Sequence, residues 1–224
     1  MDIREVLSSV QRGDMDIAEA EKLLRMDHLD SIGDDVLFDE SRQLRKNIPE
    51  VVYGASKDYG TIAEILKKRK GRLTLVSKVD EDKYTFIKKM VNGLIYDPVA
   101  KMIIFGKMPE KDRGVIGIVT AGTSDIPIAE EARIMAESMG VRCVTAYDIG
   151  VAGMEGALPT VISSLSPVPV IGVPVSTGYG MGGKGEAALM SMLQSCSMGL
   201  TAVNIDNGIG AGATAALIAV GRKR

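Results

Sequence analysis

The sequence predicts an α/β protein, with a parallel-sheet domain over residues 113–224 behind a smaller α/β domain over 1–112. Three observations carry this. From Arg113 onward, near-continuous apolar runs alternate four times with helical segments, the pattern of parallel strands covered on both faces. Residues 1–112 hold 41 of the 56 charged residues and 7 of the 25 glycines, whereas 113–224 hold 15 and 18. The first half therefore has a solvated surface, and the second has little charge with which to cover one. Finally, the polar and glycine residues of the second half gather in loops that follow the strands, and open parallel sheets bind ligands at their carboxyl ends.

In order along the chain, Val6, Leu7 and Val10 give one apolar stripe and Ile17, Ala20, Leu23 and Leu24 another. Gly13-Asp14 separates them, so a helical hairpin is expected, with Asp14 or Asp16 capping its second helix. Residues 26–50 show no clear period. Short strands are expected at 51–53, 73–76, 94–97 and 101–105, and helices at 60–69 and 80–91. In the second half, strands are expected at 114–120, 141–148, 168–175 and 200–205. The helices between them run through Met139, to about Leu165 and from about Glu186 to Met198. A last helix starts near Gly212.

Composition excludes several classes. Lys+Arg is 27 against Asp+Glu 29, so no basic excess drives binding to nucleic acid or an anionic membrane. Two Cys and one His are too few for a four-ligand zinc site or a disulfide framework. No apolar window approaches the roughly 18 residues of a membrane helix. The first residues lack the basic-then-apolar order of a signal peptide. A soluble cytoplasmic protein is the expectation.

Three loops carry candidate chemistry. TAGTSD (120–125) opens a helix; Ser124 or Asp125 suits its N-cap and Pro127 its first turn. Gly122, Thr123 and Ser124 are also the residue types that hold phosphate or carboxylate at a helix N-terminus. Asp125 would repel a phosphate and suits a ribose hydroxyl or proton transfer. GYGMGGKG (178–185) contains both G-x-G-x-x-G and G-x-x-x-x-G-K. As a dinucleotide fingerprint it comes too late in the chain. As a P-loop it has Gly185 where Ser or Thr is needed. What remains is an anion site of backbone amides with Gly180, Gly183 and Lys184, preceded by Ser176. NIDNGIGAG (204–212) puts Asp206 and Asn207 after the last strand, as a simple turn or as a third wall of the site. Asp148 ends the second strand. Cys143 reads as an inert core residue and His28 as exposed. Cys196, near a helix C-terminus, reads on its own as a core cysteine, because that end disfavours thiolate. Glu155 is a surface acid or an acid/base group.

TAGTSD, YDIGVAG (147–153), PVSTGYGMGGKGEAAL (174–189), MLQSC (192–196) and VNIDNGIGAG (203–212) together closely resemble the LarB family, the carboxylase/hydrolase of nickel-pincer nucleotide synthesis. ESRQLRKNIPEVVYG (40–54) resembles that family's first domain. More distantly the second half is similar to the aminoimidazole ribonucleotide carboxylases, the PurE type, which have a flavodoxin-like, Rossmann-like three-layer fold; they lack the long first domain and the Ser-Cys pair. The resemblance implies nicotinic acid adenine dinucleotide and CO2 as substrates. Its products would be pyridinium-3,5-biscarboxylate mononucleotide and AMP, by ring carboxylation and phosphoanhydride hydrolysis. It implies Cys196 as covalent catalyst, Asp125 and Glu155 as catalytic partners, Mg2+ on the phosphates, no prosthetic group and a homo-octamer. Met154-Glu155-Gly156 stands where the resemblance leads one to expect His-Arg, so Glu155 replaces that His in proton transfer or the role lies elsewhere.

Overall fold

The computed structural model describes residues 3–26, 29–32, 36–39, 48–150, 158–177 and 180–221. The chain separates into two compact units, 1–50 and 51–224. In the first, helices α1 (Ile3–Arg12) and α2 (Ile17–Met26) pack as a hairpin that buries Val6 and Ala20. Gly13 makes the turn at φ 77°, a left-handed conformation open to glycine, and Asp16 Oδ1 caps α2 by accepting the Glu19 amide at 2.7 Å. An antiparallel ribbon of β1 (Leu29–Ile32) and β2 (Val36–Asp39) follows, in a stretch where the sequence shows no period.

The second unit begins with a four-stranded sheet in the order β3-β4-β6-β5, formed by β3 (Glu50–Tyr53), β4 (Thr74–Ser77), β5 (Leu94–Asp97) and β6 (Met102–Phe105). Helices α3 (Tyr59–Lys68) and α4 (Glu81–Met90) pack together; their N-caps Asp58 and Asp80 accept the amides of Thr61 and Lys83. Ile62, Ile65, Leu66, Leu75, Val76, Ile87, Met102 and Ile103 are fully buried, which makes this part a complete apolar core.

From Val115 the chain is βα-alternating: β7 (Val115–Val119), α5 (Ile126–Ser138), β8 (Arg142–Ala146), α6 (Leu158–Leu165), β9 (Val170–Gly172), α7 (Glu186–Leu193), β10 (Leu200–Ala202) and α8 (Gly208–Gly221). The strands are parallel, β7 with β8 and β9 with β10, and α8 lies against both β7 and β9. Helices α5 and α8 cross in close contact. A methyl group at Gly208 or Gly212 would collide with the carbonyl oxygens of Ile128 and Ala132. The four-residue spacing puts both glycines on one face, so backbone meets backbone there.

Three expectations change. The helix after residue 186 ends at Leu193 rather than Met198. Ser195 Oγ accepts the Ser197 amide at 3.2 Å, a local bond that competes with the helical one. The last helix starts at Gly208, four residues early. Among the described residues the β7–β8 pair is covered on one face, not on both: Val115, Val119 and Val144 are 52%, 38% and 55% exposed, whereas Ile116, Ile118 and Cys143 on the other face are half-buried.

Candidate active site

The loops after the four parallel strands are stitched in pairs. Thr120, buried at the end of β7, accepts the Asp148 amide on its Oγ1 at 3.0 Å, while its carbonyl accepts the Ile149 amide at 3.2 Å. Beyond β9, the Ser176 amide donates to Asp206 Oδ1 at 2.9 Å, and the Asp206 amide returns to the Pro174 carbonyl at 2.9 Å. Asp148, Lys184 and Asp206 all have positive φ, at 53°, 61° and 58°. Such backbone is uncommon for residues with a β-carbon, and here each lies in a loop following a strand.

Within these loops each predicted residue takes a definite place. Asp125 turns its carboxylate back on its own loop, accepting the Gly122 amide at 3.2 Å and the Ser124 hydroxyl at 3.4 Å, so it does not bond the amides of α5. Thr123, Ser124 and Asp125 form one 3-10 turn, with Thr123 and Ser124 exposed. Asn207 caps α8, its Oδ1 accepting the Gly210 amide at 2.7 Å. Its turn role is therefore realised, beside an Asp206 whose carboxylate joins two loops. Gly180–Gly185 is a 3-10 segment leading into α7; Lys184 is exposed. Gly185 has φ 80°, and a β-carbon there would stand 3.1 Å from the Val175 carbonyl, so only glycine lets the chain enter α7 at this point. Glu155 and His28 lie outside the described residues.

Cys196 is exposed, in the loop between α7 and β10, not on a helix end. That loop is held against α6. The Thr160 hydroxyl donates to Ser195 Oγ at 3.1 Å, Ser197 Oγ donates to the Thr160 carbonyl at 3.0 Å, and Ser163 Oγ donates to the Met198 carbonyl at 3.1 Å. Because this loop leads into β10 and Asp206 follows it, Cys196 lies toward the amino end of the strand and the polar, glycine-rich loops lie beyond the carboxyl end. Cys143 is half-buried; burial first, then Glu137, pushes its thiol up to about 11, which suits an inert residue.

An ion network absent from the sequence reading sits beside these loops. Arg133 binds Glu130, Glu137 and, from β5, Asp97; Tyr147 donates to Glu130. Burial and the Glu130 carboxylate push the Tyr147 phenol up to about 12. Burial raises Glu130, but its bonds from Arg133 and Tyr147 outweigh this and hold it below the usual range. The i, i+3, i+4 spacing of 130, 133 and 137 was a readable signal; the partners Asp97 and Tyr147 were not. Among the described residues no three His, Cys, Asp or Glu side chains could hold a metal ion together, and no helix is long and apolar enough to cross a membrane.

Parallel βα units with their polar loops at the strands' carboxyl ends define a PurE-like α/β domain, and the comparisons agree. The AIR carboxylase family model matches residues 144–223, and that of the LarB/PurE-like N-terminal domain matches residues 31–107. An uncharacterized protein of Methanocaldococcus jannaschii is 40% identical, over 97% of this chain and 96% of its own. The chain belongs to the LarB family, related to PurE.

Proposed function

We propose that the protein carboxylates nicotinic acid adenine dinucleotide at pyridine C5 with CO2 and hydrolyses its phosphoanhydride. The products are pyridinium-3,5-biscarboxylate mononucleotide and AMP. The observation that carries this reading is the pair of matches on one chain: a LarB-type first domain ahead of an AIR carboxylase-type domain.

The chemistry asks for a nucleophile, because a pyridinium ring is electron-poor and does not attack CO2. Addition of the Cys196 thiolate converts the ring to an enamine-like dihydropyridine, whose C5 forms a bond to CO2. Loss of the C5 proton to a base, with Glu155 the candidate, and expulsion of the thiolate restore aromaticity. The exposure of Cys196 and the Ser/Thr clasp on both sides of it support the assignment. The amides around 180–185, with Lys184, hold a phosphate; Ser176, Asp148, Asp206 and Asn207 line the same edge, with Gly122, Thr123 and Ser124 beside Asp125. Magnesium would enter on the substrate's phosphates and polarise the anhydride; among the described residues no three carboxylates gather to hold it by themselves.

A homo-oligomer, with an octamer expected, completes this reading. The open face of β7–β8 and the exposed Met190, Leu193 and Met198 leave apolar surface that a partner would cover. The alternative is an aminoimidazole ribonucleotide carboxylase, favoured by the match to 144–223 alone. Mass spectrometry after incubation with the dinucleotide and labelled bicarbonate decides: a labelled dicarboxylated mononucleotide plus AMP supports the proposal. Turnover of the purine precursor alone supports the alternative.

A further inference from the structure

Lys78 comes from the sheet of residues 50–105, yet its side chain ends inside the parallel half. It follows β4 at φ 55°, and its neighbours are fixed: the Gly54 amide bonds the Ser77 carbonyl, and the Val79 amide bonds the Lys101 carbonyl, each at 2.8 Å. From this strained position Lys78 Nζ reaches Glu131 Oε1 at 2.6 Å; the Glu131 side chain is 3% exposed and that of Lys78 34%. Glu131 is where α8 presses on α5, since a β-carbon at Gly208 would stand 2.9 Å from Glu131 Cβ. Two residues before Gly208 is Asp206, whose carboxylate holds the Ser176 amide. Burial raises the Glu131 carboxyl, the Lys78 ammonium opposes this, and the Asp206 charge adds to the rise.

We propose that Lys78 is a positioning residue of the substrate site, the counter-ion that seats buried Glu131 against Gly208 at the start of α8, two residues after the Asp206 that holds the loop after β9. This rests on the reading of that loop as part of the substrate site. Through Lys78 the first LarB-type domain acts on the anion-binding edge of the second. The pair is asymmetric. Removing Lys78 leaves a buried anion without its counter-ion under the start of α8, whereas removing the Glu131 charge leaves a lysine that can turn into water.

The test follows that asymmetry, using amide exchange at Ser176 by NMR and kinetics with the dinucleotide on the full chain. Lys78→Met should speed Ser176 exchange at least about tenfold and raise KM more than it lowers kcat, while Lys78→Arg and Glu131→Gln stay near wild type. Lys78→Met/Glu131→Gln should return to wild-type exchange, and it carries the test if Lys78→Met does not fold. Equal effects of Lys78→Met and Glu131→Gln, or a double variant with fast exchange, would overturn the proposal, since both describe plain structural glue. If the wild type does not turn over the dinucleotide, the functional reading falls and the exchange measurement still decides this one.

Discussion

The close crossing of α5 and α8 makes Gly212→Ala a sharp test of the packing. A β-carbon there would meet the Ala132 backbone, with Cα at 2.9 Å and C at 3.0 Å, besides a direct clash with its carbonyl oxygen. None of these atoms is the end of a flexible side chain, so the helices themselves must part. Overpacking of this kind costs about 3 kcal/mol. Against it stands the gain in helix propensity of alanine over glycine, about 1 kcal/mol. The net is a loss of about 2 kcal/mol, or a fall in Tm of roughly 4–8 °C for a unit of this size. Gly221, the last residue of the same helix, has nothing within 4 Å of such a carbon, so Gly221→Ala should be neutral or slightly stabilising. Thermal unfolding followed by circular dichroism measures both. A Gly212→Ala protein as stable as Gly221→Ala would refute the crossing, and with it the seat of Glu131 against Gly208.

Cys196→Ser should keep the wild-type Tm yet lose ring carboxylation at least about a hundredfold, because an un-ionised hydroxyl is a far weaker nucleophile; a near-normal yield of dicarboxylated product ends the covalent proposal. In thiol labelling at pH 8 the exposed Cys196 should react and Cys143, with its thiol pushed up to about 11, should lag far behind, so Cys196→Ser should leave only slow labelling. Lys184→Ala should weaken dinucleotide binding by more than about twofold in calorimetry, the least expected from losing a charge-assisted contact. Val144→Glu, on the open strand face, should lower the oligomeric mass in light scattering without unfolding the monomer; an unchanged mass would mean that this face is not the interface. Glu130 is held below its usual range, so its contribution to stability is present above about pH 4.5 and lost as pH falls through the lowered value. Acid unfolding of Arg133→Met should therefore show a weaker pH dependence than wild type.

The alternation that predicted βα units depends on local period, and the structure has strands and helices where Val115–Val119, Ile126–Ser138 and Arg142–Ala146 repeat that period. The turn glycines behave likewise: Gly13 and Gly185 are at left-handed φ, and the need for glycine at such positions is local. The places of Asp125, Asp148, Ser176, Lys184, Asp206 and Asn207 in loops after the strands were legible because helix entry and strand exit select small, polar and glycine residues. Two local decisions were misjudged. Helix α7 stops at Leu193, beyond which the Ser195 amide turns to the Met192 carbonyl and the Ser195 side chain takes the Ser197 amide, and α8 starts at Gly208 because Asn207 caps it. The ribbon at 29–39 has no amphipathic period to betray it.

By itself the sequence determined the class of fold, the order of its elements and the loops in which polar chemistry collects, because each depends on residues within one helical turn or one strand of each other. The tertiary structure alone decided which distant charges meet. It joined Lys78 to Glu131 and Asp97 to Arg133, tied Ser176 to Asp206, and set Cys196 apart from the loops beyond the strands' carboxyl ends along β10. Ion pairs and carboxylate–amide bonds are directional and short-ranged. Partners dozens of residues apart therefore have no counterpart in sequence period, and they follow only once backbone crossings such as that at Gly208 and Gly212 bring two elements within reach.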